Sequence, residues 1–431
     1  MEPYATTDDS SPLWQSRSFL YFWGADGFLD LARQSSIVVI PLIGALTLGA
    51  SPFEMGILGA AATAPSLLIS LFAGVWVDQL PRRLTMISSA LVRCLLVASI
   101  PILWQLDLLS VWLLAGIAFL SGAMALFFDL SRLAWMPSLI GRSRLPDANG
   151  KIEASRSAAQ MAGPAAGGAA AGAISPPFAM LIDAPASLIA AVLIRKVPGG
   201  EHRGTRSSQS SSASVWRQAF DGLSISLRNP LLRATIGASG LTSLFGHIFL
   251  AVYVLFMATA LELSSFEIGL VFGVGGFGAL IGSLLAAPLA DRFGVGRTIS
   301  AGWLLFGLGG LPIPLAILVP EYALVLVVAS EFFQWMVLPI AEVNQLSLRQ
   351  AITPDSHLGR VSASYRFLVN GMIPVGSLIG GVLGSLVGLP ATLLIGVAGM
   401  LGAFVWVVLS PIRSVYRQPS EPLELTPDTS K

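Results

Sequence analysis

The chain has 431 residues, 54% of them hydrophobic and only 11% charged; soluble domains carry about 25% charged residues, so the composition points to lipid rather than water. A formal net charge of +1 carries no nucleic-acid signal, and a single cysteine, Cys94, excludes a disulfide framework within the chain and a cysteine-based metal cluster. Residues 1–12 are acidic and polar and lack a basic n-region, so no cleaved signal peptide is expected.

Apolar runs bounded by charged or turn-forming residues predict about twelve spans, at 19–47, 53–77, 84–104, 111–139, 152–174, 177–195, 231–260, 266–290, 298–319, 322–347, 361–387 and 390–410. A backbone in lipid must satisfy its own hydrogen bonds, so runs of this length and apolarity are read as helices. Between spans 6 and 7 lies a basic connection containing "SSQSSSAS", a flexible linker by composition. The following "VWRQAFDGLSISLRNP" places Trp216, Phe220 and Leu223 at helical spacing and reads as an interfacial amphipathic helix. The expected division is an N-terminal six-helix bundle at 1–195, a cytoplasmic linker at 196–229, and a C-terminal six-helix bundle with its tail at 230–431.

Charge alternates along this plan. The connections after the even spans hold the Lys and Arg, including Arg82, Arg83, Arg142, Arg144, Lys151, Arg292, Arg297, Arg349 and Arg360, and those after the odd spans up to span 11 hold none. Short cytoplasmic loops are enriched in Lys and Arg, so the even connections and both termini are expected to face the cytoplasm of a cell membrane.

The two halves repeat. When "SPFEMG" at Ser51 is laid on "SSFEIG" at Ser264, Phe53, Glu54 and Gly56 fall on Phe266, Glu267 and Gly269. Without a gap, Leu67, Ser70, Leu71, Ala73 and Asp78 fall on Leu280, Ser283, Leu284, Ala286 and Asp291. Each copy reads as a capping box at a helix start, Ser followed by Glu at the third position beyond it. Parallel six-helix halves related by an axis along the membrane normal are a transporter architecture.

The loop "GVWVDQLPRR" at 74–83 resembles the major facilitator pattern G-x-x-x-D-R/K-x-G-R-K/R, and "APLADRFGVGR" at 287–297 resembles its second-half copy. "GPAAGG" in span 5 (Gly163, Pro164, Gly167, Gly168) is similar to the G-P-x-x-G-G signature of facilitator antiporters. "SPFEMG", "RLPDANG", "LIDAPAS" and "LGRVSA" together resemble the enterobactin and macrolide exporter branch. Departures are Gln79 and Pro81 in the first loop and Ala159 ahead of the span 5 motif. The resemblance implies an all-α fold of twelve transmembrane helices in two pseudo-symmetric bundles, and proton-coupled export of drugs, macrolides or siderophore-like metabolites. Gly74, Asp78, Arg82, Arg83, Asp291, Arg292 and Arg297 would then form gating loops. Asp78 and Asp291 sit at helix ends where a carboxylate can accept from a neighbouring helix N-terminus or pair with Arg. The span 5 glycines are either a packing seam or a seam tight enough to stop an ion leak.

Ionised groups inside spans are costly and should face a cavity or a partner. Asp26, Asp30 and Arg33 of span 1 fall within about a 60° arc of one helix face. Span 4 adds Asp129 and Arg132, and span 10 adds Glu331 and Glu342. Asp30 and Asp26, then Glu331, are the expected proton carriers, with Arg33 as their counter-ion; a static ion-pair network and direct substrate binding are the alternatives. Arg93 is expected to pair with a carboxylate, and Asp183 and Arg156 to be structural. His247 in span 7 is a proton site or a hydrogen-bonded helix contact. Aromatics on the cavity spans, including Trp23, Tyr253 and Trp335, suit bulky amphipathic ligands.

"GVGGFG" from Gly273 satisfies G-x-G-x-x-G, but it lies mid-span without a strand before it and reads as helix packing. No Walker pattern, zinc, haem or serine-hydrolase motif appears, so neither an enzyme nor a cofactor is expected. The expected partners are a small-molecule substrate, protons and the bilayer, with no nucleic acid, and the chain is expected to be a monomer. Uptake, and a facilitator fold acting as a membrane assembly or sensory protein, are the alternative functions.

Overall fold

A computed structural model describes residues 13–68, 80–198 and 223–418, and all regular structure among them is helical. The long helices are α1 (Arg17–Leu42), α2 (Pro52–Leu68), α3 (Arg82–Gln105), α4 (Val111–Ile140), α5 (Leu145–Ala173), α6 (Asp183–Lys196), α7 (Pro230–Thr259), α8 (Ser265–Phe293), α9 (Val295–Gly309), α10 (Ala323–Ile352), α11 (Asp355–Val387) and α12 (Leu389–Val408). Ten helical stretches among the described residues are long and apolar enough to cross a membrane. The two expected spans outside those ten are α2, described only to Leu68, and α5, whose first turns carry Asp147, Lys151, Glu153 and Arg156.

Local chemistry sets the helix ends. Ser16, Ser110 and Asn229 cap α1, α4 and α7 by accepting from backbone N–H groups of the first turn. Both expected capping boxes form: Glu54 N–H donates to Ser51 Oγ at 3.3 Å while Ser51 N–H donates to Glu54 Oε2 at 2.8 Å, and Ser264 and Glu267 repeat the pair at the same distances. Pro41 removes a donor near the end of α1, and a π turn at Ile43–Thr47 follows it. Four spans differ from the sequence expectation. α5 and α11 begin before their apolar runs, because polar residues outside the bilayer continue a helix as readily as apolar ones. The ninth span breaks after Gly309 into short turns at Pro312–Leu315 and Ala316–Leu318, and the sixth is split between Pro176–Ala179 and α6; Pro312 and Pro176 open the first short turn in each case.

The packing plan is duplicated. α1 packs on α5 and α6, α2 on α4, and α3 on α4 and α6. Six helices later, α7 packs on α11 and α12, α8 on α10, and α9 on α10 and α12. The two most extensive cross-half pairs, α2 on α11 and α5 on α8, are also counterparts. The fold is therefore two pseudo-symmetric helical halves.

Burial is inverted relative to a soluble protein. Leu95, Leu386 and Leu409 are 71%, 75% and 81% exposed, while Asp26, Asp183 and Glu331 are buried. Apolar side chains on the outside and charges inside suit a hydrocarbon solvent. One apolar core, holding Val39, Leu42, Met55, Phe256 and Ile268, joins both halves at the face that carries the capping boxes. At the opposite, Arg-bearing face each half keeps its own core, around Phe22 and Trp135 in one and Trp303 and Leu348 in the other.

Candidate functional site

Helical periodicity brings the span 1 charges together, and α4 supplies their partners. Arg33 donates from Nη1 and Nη2 to Asp129 at 3.0–3.1 Å and from Nη2 to the Ala125 carbonyl at 3.0 Å. Asp30 lies 3.6 Å from Arg33, and its other oxygen lies 3.5 Å from Arg156 of α5. Arg132 pairs with Asp26 at 3.2 Å and stands 3.9 Å from Asp129. Every carboxylate of this network thus has an arginine, and the network ties α1, α4 and α5 into one unit.

A second buried pair joins α3 to α6. Arg93 donates to Asp183 through Nε at 3.3 Å and through Nη2, and Asp183 also accepts from Ser36 and, at 3.0 Å, from Ser187. The carboxylate expected for Arg93 is therefore Asp183, and α1 joins through Ser36.

Glu331 stands apart from both networks. It is 2% exposed and accepts from Tyr253 Oη at 2.8 Å and from Trp335 Nε1 at 2.7 Å. Among the described residues it has no cationic partner. Tyr253 meets Phe272 edge-on at 5.7 Å between ring centres. Phe272 in turn lines a cavity of about 370 Å³ between the halves, so Glu331 lies one ring pair behind the cavity wall. The sequence named Tyr253 and Trp335 only as cavity aromatics; the i,i+4 spacing of Glu331 and Trp335 was a readable sign of their bond.

The same cavity is bordered by Arg33, Ser36, Arg93 and Ser121 on one side and by His247, Leu250, Val254 and Ser377 on the other. His247 meets both sequence readings in part: its Nδ1 donates to the Ser243 carbonyl at 2.8 Å, an ordinary helix contact, and its ring borders the cavity. Glu342 joins neither network; it is exposed and, among the described residues, makes no ion pair or hydrogen bond.

The loop and glycine motifs divide. Gly74 and Asp78 lie outside the described residues, as do Trp216 and Phe220 of the expected linker helix. Arg82 donates to the Ala134 carbonyl at 2.9 Å and Arg83 to the Arg195 carbonyl, so both staple α3 to its own half. Asp291 is exposed and, among the described residues, unpaired, Arg297 is exposed, and Arg292 lies over the Phe293 ring. In span 5, Gly163 and Gly167 abut α1 at Gln34 and Ser35, whereas Gly168 abuts Gly269 of α8 in the other half. Pro164 is buried beside them, with its carbonyl facing Gly269. The "GVGGFG" glycines pack on two neighbouring helices: Gly273 on Ala165 and Gly276 on Met161 of α5, and Gly275 on Glu331 and Trp335 of α10. That is helix packing with no phosphate cradle.

Two duplicated helical halves, charges buried inside each and a cavity at their junction define a membrane transporter of the major facilitator type. A family model described as transmembrane secretion effector matches residues 12–429, and the chain belongs to that family. An MFS-type transporter of Sinorhizobium fredii, y4rN, is 28% identical over 369 residues, covering 82% of this chain and 85% of its own. Among solved structures, a bacterial homologue of the iron transporter ferroportin in an inward-facing state superposes with a TM-score of 0.73 at 15% identity, covering 91% of this chain and 98% of that one. The nucleoside transporter NupG gives 0.73 at 10% identity, with 91% and 98% covered. A bacterial homologue of the lysosomal transporter Spinster, inward-facing and unoccupied, gives 0.63 at 14% identity, with 94% and 97% covered. These likenesses establish the fold.

Proposed function

We propose that this transporter exports small amphipathic molecules from the cytoplasm against proton entry, by rocking its two halves, 1–195 and 230–431, about the central cavity. The observation that carries the reading is Glu331, a buried carboxylate with hydrogen-bond donors but no cation. Such a group can take or lose a proton without dismantling an ion pair. Asp26 and Asp30 are held by Arg132, Arg33 and Arg156, so a proton placed there breaks a bond that fastens helices together. The order of the expected proton carriers is therefore reversed: Glu331 carries the proton, and the α1 charges hold the N-terminal half rigid while it moves.

The direction rests on three supports. The family is described by secretion. The Arg-bearing connections mark the cytoplasmic face, with both termini there, in a cytoplasmic membrane. The shared apolar core lies at the opposite face, which supports reading this conformation as closed to the outside and open to the cytoplasm. A proton entering from outside neutralises Glu331 and favours return to this state, and its release to the cytoplasm resets the cycle. Asp291, unpaired here, is free to engage as a latch when the Arg-bearing ends close.

The test is accumulation of candidate amphiphiles in inverted membrane vesicles with an imposed pH gradient. Gradient-driven accumulation in wild type and its loss in Glu331→Gln support the reading. Accumulation indifferent to both gradient and substitution contradicts it.

A further inference from the structure

The cavity's charged wall has one sign. Arg33 and Arg93 both line it, and among the described residues no Asp or Glu does. The carboxylates that pair these arginines stand behind them. Asp183 is 1% exposed and engaged by Arg93, Ser36 and Ser187, and Arg33 is held by Asp129 and the Ala125 carbonyl of α4, neither of which borders the cavity through a carboxylate. Each pair is thus a fixed dipole with its positive end at the cavity.

Donor capacity is left over at the same wall. Arg93 uses Nε and Nη2, and Nη1 donates to nothing among the described residues. Arg33 Nε is buried without an acceptor. Ser121, 4% exposed and bordering the cavity, has a hydroxyl with no partner. Buried polar groups are ordinarily satisfied, so the two buried donors without a partner, Arg33 Nε and Ser121 Oγ, together with the spare Arg93 Nη1, are what a ligand's acceptor would complete. The remaining wall is largely Ile37, Ile40, Leu58, Leu250, Val254 and Phe272. Across from the arginines, His247 donates from Nδ1 to a carbonyl, which leaves Nε2 of the neutral ring as an acceptor and no seat for an anion.

We propose that this cavity selects small amphiphiles bearing one negative charge, with Arg93, Arg33 and Ser121 receiving the anionic group and the aliphatic wall receiving the body. The cavity, at about 370 Å³, lies near the lower end of the range for ligand pockets, roughly 300–1,000 Å³, so the occupant is small for its class. The proposal rests on reading the cavity as the substrate site of the exporter. It names the charge of the substrate, which neither the family nor the fold supplies.

The test is equilibrium binding, with no gradient, to the full-length protein in phosphatidylcholine nanodiscs, with empty nanodiscs as the blank. The probes are a matched trio: 4-butylbenzoate, 4-butylbenzyl alcohol and 4-butylbenzylammonium. A charge-assisted hydrogen bond exceeds a neutral one by enough to predict benzoate binding about tenfold tighter than the alcohol, with the ammonium weakest. The double variant Arg93→Gln/Asp183→Asn keeps hydrogen-bonding groups and removes the charges; benzoate should fall to within about twofold of the alcohol. Leu250→Trp fills the apolar end and should weaken all three. Ser121→Ala, a small change that spares the ion pair, should cost benzoate alone a few-fold. Equal binding of benzoate and alcohol to wild type, preference for the ammonium, absence of binding by all three, or a benzoate preference that survives the folded double variant overturns the proposal. Since binding is read without transport, anion preference in a protein that moves nothing in vesicles would refute export and leave the proposal standing; export of cations alone would do the reverse.

Discussion

Gly168 of α5 and Gly269 of α8 meet backbone to backbone across the two halves, and a methyl group built on Gly269 would lie 2.6 Å from the Gly168 Cα. The relationship repeats under the internal symmetry: a methyl on Gly56 of α2 would lie 2.7 Å from the Gly381 Cα of α11. Gly56 and Gly269 are the last residues of the two repeated stretches "SPFEMG" and "SSFEIG". Each stretch therefore does two things: it caps a helix, and at the fifth residue of that helix it leaves a bare backbone where the halves close.

Overpacking such a crossing costs about 1–3 kcal/mol against the closed arrangement. Gly56→Val and Gly269→Val are expected to open the face they seal. In a Cys94→Ser background with Phe272→Cys as reporter, a membrane-impermeant maleimide added from that side should label the valine variants several-fold faster than their parent. Unchanged labelling would show that the crossings are not the seal.

Removing a helix N-cap costs about 1 kcal/mol. Ser51→Ala and Ser264→Ala should each lower thermal stability by that order, alike in the two halves, with transport retained. A loss confined to one half would argue against equivalent helix starts.

Breaking a buried ion pair from one side costs about 3–5 kcal/mol, because the other charge is left without its partner. Arg93→Gln alone should therefore destabilise the protein strongly, and adding Asp183→Asn should recover most of the loss. A double-mutant cycle on thermal unfolding measures this coupling; additive effects would mean that the pair does not hold α3 to α6.

Asp291 is exposed and unpaired in this conformation, and substitutions at such positions usually change stability by less than about 0.5 kcal/mol. Asp291→Asn should leave the melting temperature alone while slowing transport, the signature of a contact made only in the other state. Unaltered transport would remove the latch.

Much of this was readable before any coordinates, and the reasons are physical. Asp26, Asp30 and Arg33 share a helix face by periodicity alone, and they do fall into one network. The duplicated packing follows from the duplicated sequence, and a glycine run without a strand ahead of it could only be packing. What escaped was partnership across distant chain segments. Tyr253 lies 78 positions from Glu331 and Asp183 lies 90 from Arg93, and no local pattern links them. That escape changed the chemistry: on composition, the α1 acids and Glu331 look alike as buried carboxylates, and only their partners separate the ion-paired from the unpaired. Helix ends also drifted from the apolar runs, since hydropathy marks the bilayer and hydrogen bonding marks the helix.

The most direct measurement of the central claim is proton movement driven by substrate. Protein reconstituted in liposomes with a pH-sensitive dye inside, at zero initial gradient, is given a substrate gradient of an amphiphile that the vesicles accumulate. The account predicts that wild type moves protons opposite to the substrate, that Glu331→Gln moves substrate down its gradient with no proton signal, and that Asp30→Asn loses stability but keeps any remaining flux coupled. Proton flux that persists in Glu331→Gln, or that vanishes only when Asp26 or Asp30 is neutralised, would contradict it.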